Sequence, residues 1–148
     1  MPDPQGPALS GTVADGVHRF PLRVYYEDTD AGGIVYHATY LRWMERVRSD
    51  WLRALGERHD AMAAAGLQFV VSEVDIRFRR PARLDDLLDV DLEVIEVRRA
   101  SLRLAQRTRG ADGGPLLADA TVRVAVMDRH SGRPAPLPKR LLDTLGAP

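Results

Sequence analysis

YLRWMERVRSDWLRALG, residues 40–56, sets Tyr40, Trp43, Met44, Val47, Trp51, Leu52 and Leu55 at intervals of three and four residues. That spacing is one face of an α-helix held for about four turns. Arg42, Glu45, Arg46, Arg48, Asp50 and Arg53 take the other positions, so the helix has one apolar stripe and one charged side. Gly56 supplies the stop. A long helix with a single apolar face needs a broad surface to pack on. The flanking sequence supplies strands.

Downstream, ERHDAMAAAG (57–66) reads as a short helix closed by Gly66. In LQFVVSEVDIRFRR (67–80), Val70, Ser72, Val74, Ile76 and Phe78 recur at period two, a long strand ended by Pro81. LLDVDLEVIEV (87–97), SLRLAQRTRG (101–110) and PLLADATVRVAVMD (115–128) are three more strands, with turn chemistry in GADGG. Upstream, HRFPLRVYYED (18–28) puts Phe20, Leu22, Val24 and Tyr26 on one face and Arg23 and Tyr25 on the other. The order strand, long helix, four strands predicts an α+β domain: a five-stranded antiparallel sheet with the helix in its curve. One helix covers one face and leaves two open edges, which points to a partner subunit. Residues 1–17, rich in Pro, Gly, Ser and Asp, read as a flexible leader. The domain is expected over 18–133, and 134–148 as a tail with a short helical turn.

The chain has 148 residues, 45% hydrophobic and 28% charged, which suits one well-cored globular domain. Its 21 basic and 21 acidic side chains cancel, so no net field favours nucleic acid, and near-neutrality leaves room for self-association. The absence of cysteine excludes disulfides, thiol nucleophiles and thiolate metal sites. No apolar run approaches the roughly 20 residues of a membrane span. The first residues lack a basic n-region and an apolar h-region, so no membrane insertion and a cytoplasmic location are expected.

Between the first strand and the long helix lies EDTDAGGIVYHATY (27–40), with Glu27, Asp28 and Asp30 just before Gly32 and Gly33. Acids and glycines are common in turns, and carboxylates favour helix N-termini, so an ordinary acidic turn is one reading. Asp30, however, stands seven residues before His37, too far upstream for an N-cap. Glycines allow positive φ and close approach of a ligand. A helix N-terminus behind them offers free N–H groups that polarise a carbonyl oxygen beside a carboxylate. That pairing suits acyl transfer.

RVYYEDTDAGGIVYHATY (23–40) resembles the signature of the 4-hydroxybenzoyl-CoA thioesterase family of hotdog folds, and within it the bacterial Tol–Pal-associated acyl-CoA thioesterase branch. PARLDDLLDV (81–90) and LPK (137–139) are similar to that branch too, so the resemblance covers about residues 19–145. It implies a hotdog fold and hydrolysis of acyl-CoA to a carboxylic acid and coenzyme A. It also implies no cofactor beyond the coenzyme A of the substrate. The family's catalytic aspartate falls on Asp30, its motif tyrosine on Tyr26 and its motif histidine on His37. The polarising amide belongs near His37. Gly32, Gly33, Ile34, Val35 and Tyr36 of the same run are expected to line the substrate. The residues do not decide between Asp30 as general base and as nucleophile. A homodimer or a dimer of dimers (a homotetramer), with sites formed between chains, is expected.

Other readings stay local. Asp28 is expected to bond turn amides, Glu27 to face solvent, and Glu45 to pair with an arginine one turn away. Arg79 and Arg80, like Arg98 and Arg99, stand near strand ends where they could meet coenzyme A phosphates. His18, His59 and His130 lack metal-ligand spacing, and no metal site is expected. No G-x-S-x-G is present. Two rivals to hydrolysis are an acyl-thioester hydratase or dehydratase and a non-catalytic acyl-thioester-binding partner of a cell-envelope or lipid-synthesis complex. Acyl carrier protein in place of free coenzyme A is also open.

Overall fold

The computed structural model describes residues 10–146. Its elements, in chain order, are β1 (Thr12–Ala14), β2 (Val17–Arg23), a 3₁₀ turn (Tyr26–Asp28), α1 (His37–Ala54), α2 (His59–Ala64), β3 (Leu67–Phe78), β4 (Leu87–Val97), β5 (Ser101–Gly110), β6 (Leu116–Asp128) and α3 (Lys139–Leu145). The strands form one antiparallel sheet in the order β1-β2-β4-β5-β6-β3. The stripe predicted for α1 is the buried one: Tyr40, Trp43, Met44, Val47, Trp51 and Leu52 are all buried. They pack against Leu88, Val90, Leu92, Leu102, Leu104 and Val122 from the sheet's inner face. A long helix in the curve of an antiparallel sheet is the hotdog arrangement.

The sheet has six strands, not five. The extra strand, β1, lies inside the stretch read from sequence as leader; residues 1–9 of that stretch fall outside the described residues. Its cause is local. Asp15 (φ +53°) and Gly16 (φ +75°) both adopt the left-handed conformation that a two-residue hairpin turn requires, and fold Val13 back onto His18. The hairpin is fastened to α1. Asp50 Oδ2 accepts the amide of Gly11 at 2.8 Å and meets Nε2 of the buried His18 at 2.6 Å. A Cβ at position 11 would stand 2.2 Å from the carbonyl oxygen of Arg19, so this close approach needs glycine.

A second correction concerns β3. Its register against β6 shifts between Val71 (opposite Val124) and Glu73 (opposite Arg123), a bulge that leaves Ser72 as the extra residue. The bulge reverses parity. Phe69 and Val71 face the side of Leu104 and Val124, while Ser72 bonds Arg123 on the outside. The even-numbered face expected from Val70 onward therefore begins only after the bulge. At the C-terminal end, Leu137 and Leu141 are buried in the core, which anchors α3. No helix among the described residues is long and apolar enough to cross a membrane.

Candidate active site

The acidic turn is a small hairpin that delivers the chain into α1. Thr29 bridges Val35, the amide of Asp30 bonds the carbonyl of Ile34 at 2.9 Å, and the amide of Gly33 returns to the carbonyl of Asp30 at 3.0 Å. Oδ1 of Asp30 accepts the Gly32 amide at 2.8 Å, closing an Asx turn. Both glycines serve this turn. Gly33 sits at φ +81°, and a Cβ on residue 32 would lie 3.1 Å from Asp30 Oδ1. Asp28 bonds turn amides as expected: its Oδ2 accepts from Tyr25 at 2.9 Å and its carbonyl from Tyr36 at 3.0 Å.

The hairpin feeds an uncapped helix. Tyr36, the N-cap, makes no side-chain cap bond, and the first turn of α1 holds no acid. The Thr39 amide bonds the carbonyl of Tyr36, whereas those of His37 and Ala38 have no partner among the described residues. Two N–H groups without a partner among the described residues therefore stand together at the positive end of an 18-residue helix. Asp30 is exposed, and its hairpin partner Ile34 lies three residues, at most roughly 10 Å of chain, from His37.

Beside this mouth a pocket of about 300 Å³ is lined by Ile34, Val35, His37, Tyr40, Phe78, Arg79, Arg80 and Pro81. Its aromatic wall is continuous: the Phe78 ring meets His37 edge-on at 6.3 Å and Tyr40 at 5.5 Å. The Tyr40 hydroxyl accepts the Ala82 amide at 3.2 Å, and burial pushes its pKa up, so the phenol stays neutral. The two arginines differ. Arg79 is tied to Asp119, with Nε to Oδ1 at 2.7 Å, and this bond holds the Asp119 carboxyl below its ordinary range. Arg80 makes no ion pair or side-chain hydrogen bond among the described residues.

Of the residues expected from sequence, the pocket gathers Ile34, Val35, His37, Arg79 and Arg80. Gly32, Gly33 and Asp30 remain in the adjoining hairpin, and the Tyr36 ring packs on His37 at 4.4 Å. Tyr26 stands apart. It is 83% exposed and faces a separate depression with Leu84 and Asp85. The alternation of β2 stops at Val24, and the 3₁₀ turn from Tyr26 rotates that side chain off the inner face where sequence parity put it. Periodicity alone places Tyr40 in the helix stripe and Phe78 in the strand alternation; the signal that joins them to the pocket is their position, one turn inside α1 and next to Arg79, Arg80 and Pro81.

A family model described as the thioesterase-like superfamily matches residues 24–145. The acyl-CoA thioester hydrolase YbgC of Escherichia coli O6:H1 is 42% identical over 124 residues, covering 84% of this chain and 92% of that protein. The acyl-CoA thioesterase YbgC of Haemophilus influenzae is 43% identical over 130 residues, 87% of this chain and 94% of its own length. Among solved structures, a probable thioesterase from Bartonella henselae superposes with a TM-score of 0.76 at 36% identity, covering 82% of this chain and 99% of that one. The chain belongs to the thioesterase-like superfamily, in the branch of YbgC-named acyl-CoA thioesterases to which the run from Arg23 to Tyr40 pointed.

Proposed function

We propose that this chain hydrolyses acyl-CoA thioesters to a carboxylic acid and free coenzyme A at the mouth of α1. The observation that carries the reading is the pair of amides, His37 and Ala38, without a partner among the described residues, the first of them on a residue that lines an apolar pocket. In this scheme the thioester carbonyl oxygen accepts from the His37 N–H, and the helix dipole favours the negative charge that develops there. Asp30 supplies the base. Its Oδ1 is occupied by Gly32, which leaves Oδ2 for chemistry. Oδ2 either takes a proton from the water that attacks the carbonyl carbon, or attacks that carbon itself to give a mixed anhydride that water then opens. In both routes the C–S bond breaks and the departing thiolate is protonated as coenzyme A. Ile34, Val35 and Phe78 hold the acyl group, and Arg80 takes a phosphate of the coenzyme arm. Tyr26 has no step in this scheme.

The test is thiol release across a panel of acyl-CoA chain lengths, with the crotonyl ester also followed for hydration. Thiol release with at least one ester is expected. Hydration without hydrolysis, or binding without turnover, would replace the reading. In the same assay Arg80→Gln raises KM about tenfold, the loss of one charge-assisted bond, while Arg79→Gln, whose guanidinium is already committed to Asp119, raises it less. Equal effects from both would remove Arg80 from the phosphate role.

Self-association belongs to the same proposal. Among the described residues β3 is an edge strand of 12 residues paired with β6 alone, and it exposes Val71, Val74 and Phe78. The other edge ends in the three-residue β1. A long apolar edge invites a second copy, whereas a short one does not. We place the contact at β3, which brings a second chain beside Phe78 and the pocket. Analytical ultracentrifugation at micromolar concentration is expected to show a dimer or tetramer. A fully active monomer would exclude sites shared between chains. The reading also puts the chain in the cytoplasm with its coenzyme A substrate.

A further inference from the structure

Glu45 and Arg48 stand one turn apart on α1 and do not bond each other, although their spacing suits a pair. Neither takes part in any ion pair among the described residues. Both line a shallow cavity of about 80 Å³ with Ser49 and Leu52 of α1 and Phe69 and Val71 of β3, so this face of the helix looks toward the β3 edge. Glu45 is exposed. The Arg48 guanidinium is partly buried: Nη1 donates to Oε1 of the fully buried Gln106 at 2.9 Å, a neutral partner, and burial lowers its pKa. A partly desolvated cation and an unpaired carboxylate on one face call for counter-charges that the described residues do not supply.

The β3 edge fixes how a second copy meets that face. The bulge changes the parity of β3 at its middle. Leu67 packs on the core, and Phe69 and Val71 before the bulge, like Val74, Ile76 and Phe78 after it, stand opposite buried residues of β6. Ser72 and Glu73, at the midpoint, both belong to the outer face, beside Arg123. Opposed residues of an antiparallel pair share a face. Two copies of β3 therefore match along their whole length in one register: Leu67 opposite Phe78 of the second copy, Phe69 opposite Ile76, Val71 opposite Val74, and Ser72 opposite Glu73. A slide of one residue turns inner side chains against outer ones, and a slide of two sets Val74 against Glu73 or Val71 against Ser72. The twofold axis then passes between Ser72 and Glu73. Phe78 packs on His37 and Tyr40 near the start of α1, whereas Phe69 and Val71 lie beside Ser49 and Leu52. The axis is thus level with the middle of α1, where Glu45 and Arg48 stand.

We propose that two copies join through β3 in this register, with their α1 helices antiparallel across the axis and Glu45 of each bonded to Arg48 of the other. The inference rests on the assignment of self-association to β3 and adds to it a register and a pair of cross-chain bonds. A twofold axis makes such contacts reciprocal, so one rotation satisfies both carboxylates and both guanidiniums. The inner pairs are apolar throughout. On the outer face no like charges are opposed, since Arg77 meets Gln68 and Asp75 meets Val70. The second copy's Leu67 then stands beside Phe78, so each pocket at the helix mouth is completed by a residue of the other chain.

The chain has no cysteine, so engineered cysteines report the register. Gln68→Cys/Arg77→Cys sets each thiol opposite its counterpart on the second copy, within disulfide reach. Within one chain the two positions are nine residues, roughly 30 Å, apart. Mild oxidation is expected to turn most of this variant into a covalent dimer on a non-reducing gel. Gln68→Cys/Asp75→Cys, which needs a slide of two residues, should give almost none. Sedimentation tests the helix contact. Glu45→Arg and Arg48→Glu each oppose like charges twice per dimer, and each is expected to raise the dimer dissociation constant about tenfold or more. Mixed in equal amounts, the two variants form heterodimers whose contacts are both complementary, with affinity back near that of the parent. No cross-link from the first cysteine pair, abundant cross-link from the second, unchanged association of Glu45→Arg, or no recovery on mixing overturns the proposal. A parent that stays monomeric overturns the β3 assignment as well, whereas an associating parent whose variants fail sinks this interface alone. If Arg48→Glu does not fold, Glu45→Arg and the cysteine pairs decide.

Discussion

Asp30→Asn lowers kcat for acyl-CoA hydrolysis by about a thousandfold and leaves KM within about threefold, the loss expected when a positioned base or nucleophile is removed. The substitution isolates charge from structure. Asparagine keeps an oxygen at the Oδ1 position, so the 2.8 Å bond from the Gly32 amide survives, and with it the turn that Gly33 closes at φ +81°. Asp30 is exposed, so no core packing is lost. The Ile34 and Thr29 contacts of the hairpin are backbone bonds that do not see the change. The melting temperature should therefore stay within a few degrees of the parent. What disappears is the negative charge on Oδ2, the Asp30 oxygen that the Gly32 amide leaves free to take a proton or attack a carbonyl. Measuring kcat, KM and thermal unfolding together separates the outcomes: unchanged unfolding with lost kcat supports the role, and near-normal kcat removes Asp30 from the chemistry. Asp30→Ala would be less informative, because it also breaks the Asx turn and perturbs the helix entrance.

The parts of this structure that could be read from sequence are those set by side-chain periodicity over long runs. The stripe from Tyr40 to Leu52 required only that apolar residues recur at helical spacing, and the buried face of α1 follows it residue by residue. The inner face of β2 follows period two, and the alternation carries one residue beyond the strand to the buried Val24. What escaped was set by backbone conformation at single positions. Asp15–Gly16 is a hairpin turn of the strongest kind, but the strand it creates is three residues long, too short for alternation to reveal. The bulge at Ser72 inserts one residue that strict period two does not contain, so alternation alone puts Val70 and Phe78 on one face. Tyr26 was lost for the same reason, since a 3₁₀ turn replaced the last step of a strand. At the candidate site, the run from Asp30 to His37 was legible because its chemistry is contiguous. Phe78, Arg79 and Arg80 join it only through the fold, 41 or more residues away in sequence.

His37→Pro carries the second large effect, because it removes a backbone hydrogen and little else. His37 is the first residue of α1, where proline is well tolerated: no intrahelical bond uses that N–H, and the fixed φ of proline suits a helix start. Tyr36 before it lies at φ −62°, ψ 133°, the extended conformation that a following proline demands. The helix should therefore form as before, with the Ala38 amide still in place. If the His37 N–H polarises the thioester carbonyl, kcat falls about a hundredfold or more, the usual cost of one oxyanion donor. His37→Ala is the matched control. It keeps the amide and discards the ring, losing its contacts with Tyr36 at 4.4 Å and Phe78 at 6.3 Å. Its kcat should fall by less than about tenfold, since the ring positions substrate but transfers no proton in the proposed scheme. The ordering is the decisive result. Proline well below alanine, with both variants folded by circular dichroism, assigns the effect to the backbone. Alanine as poor as proline assigns it to the imidazole, and the carbonyl would then need a different donor, with the Ala38 amide the remaining one at the helix mouth.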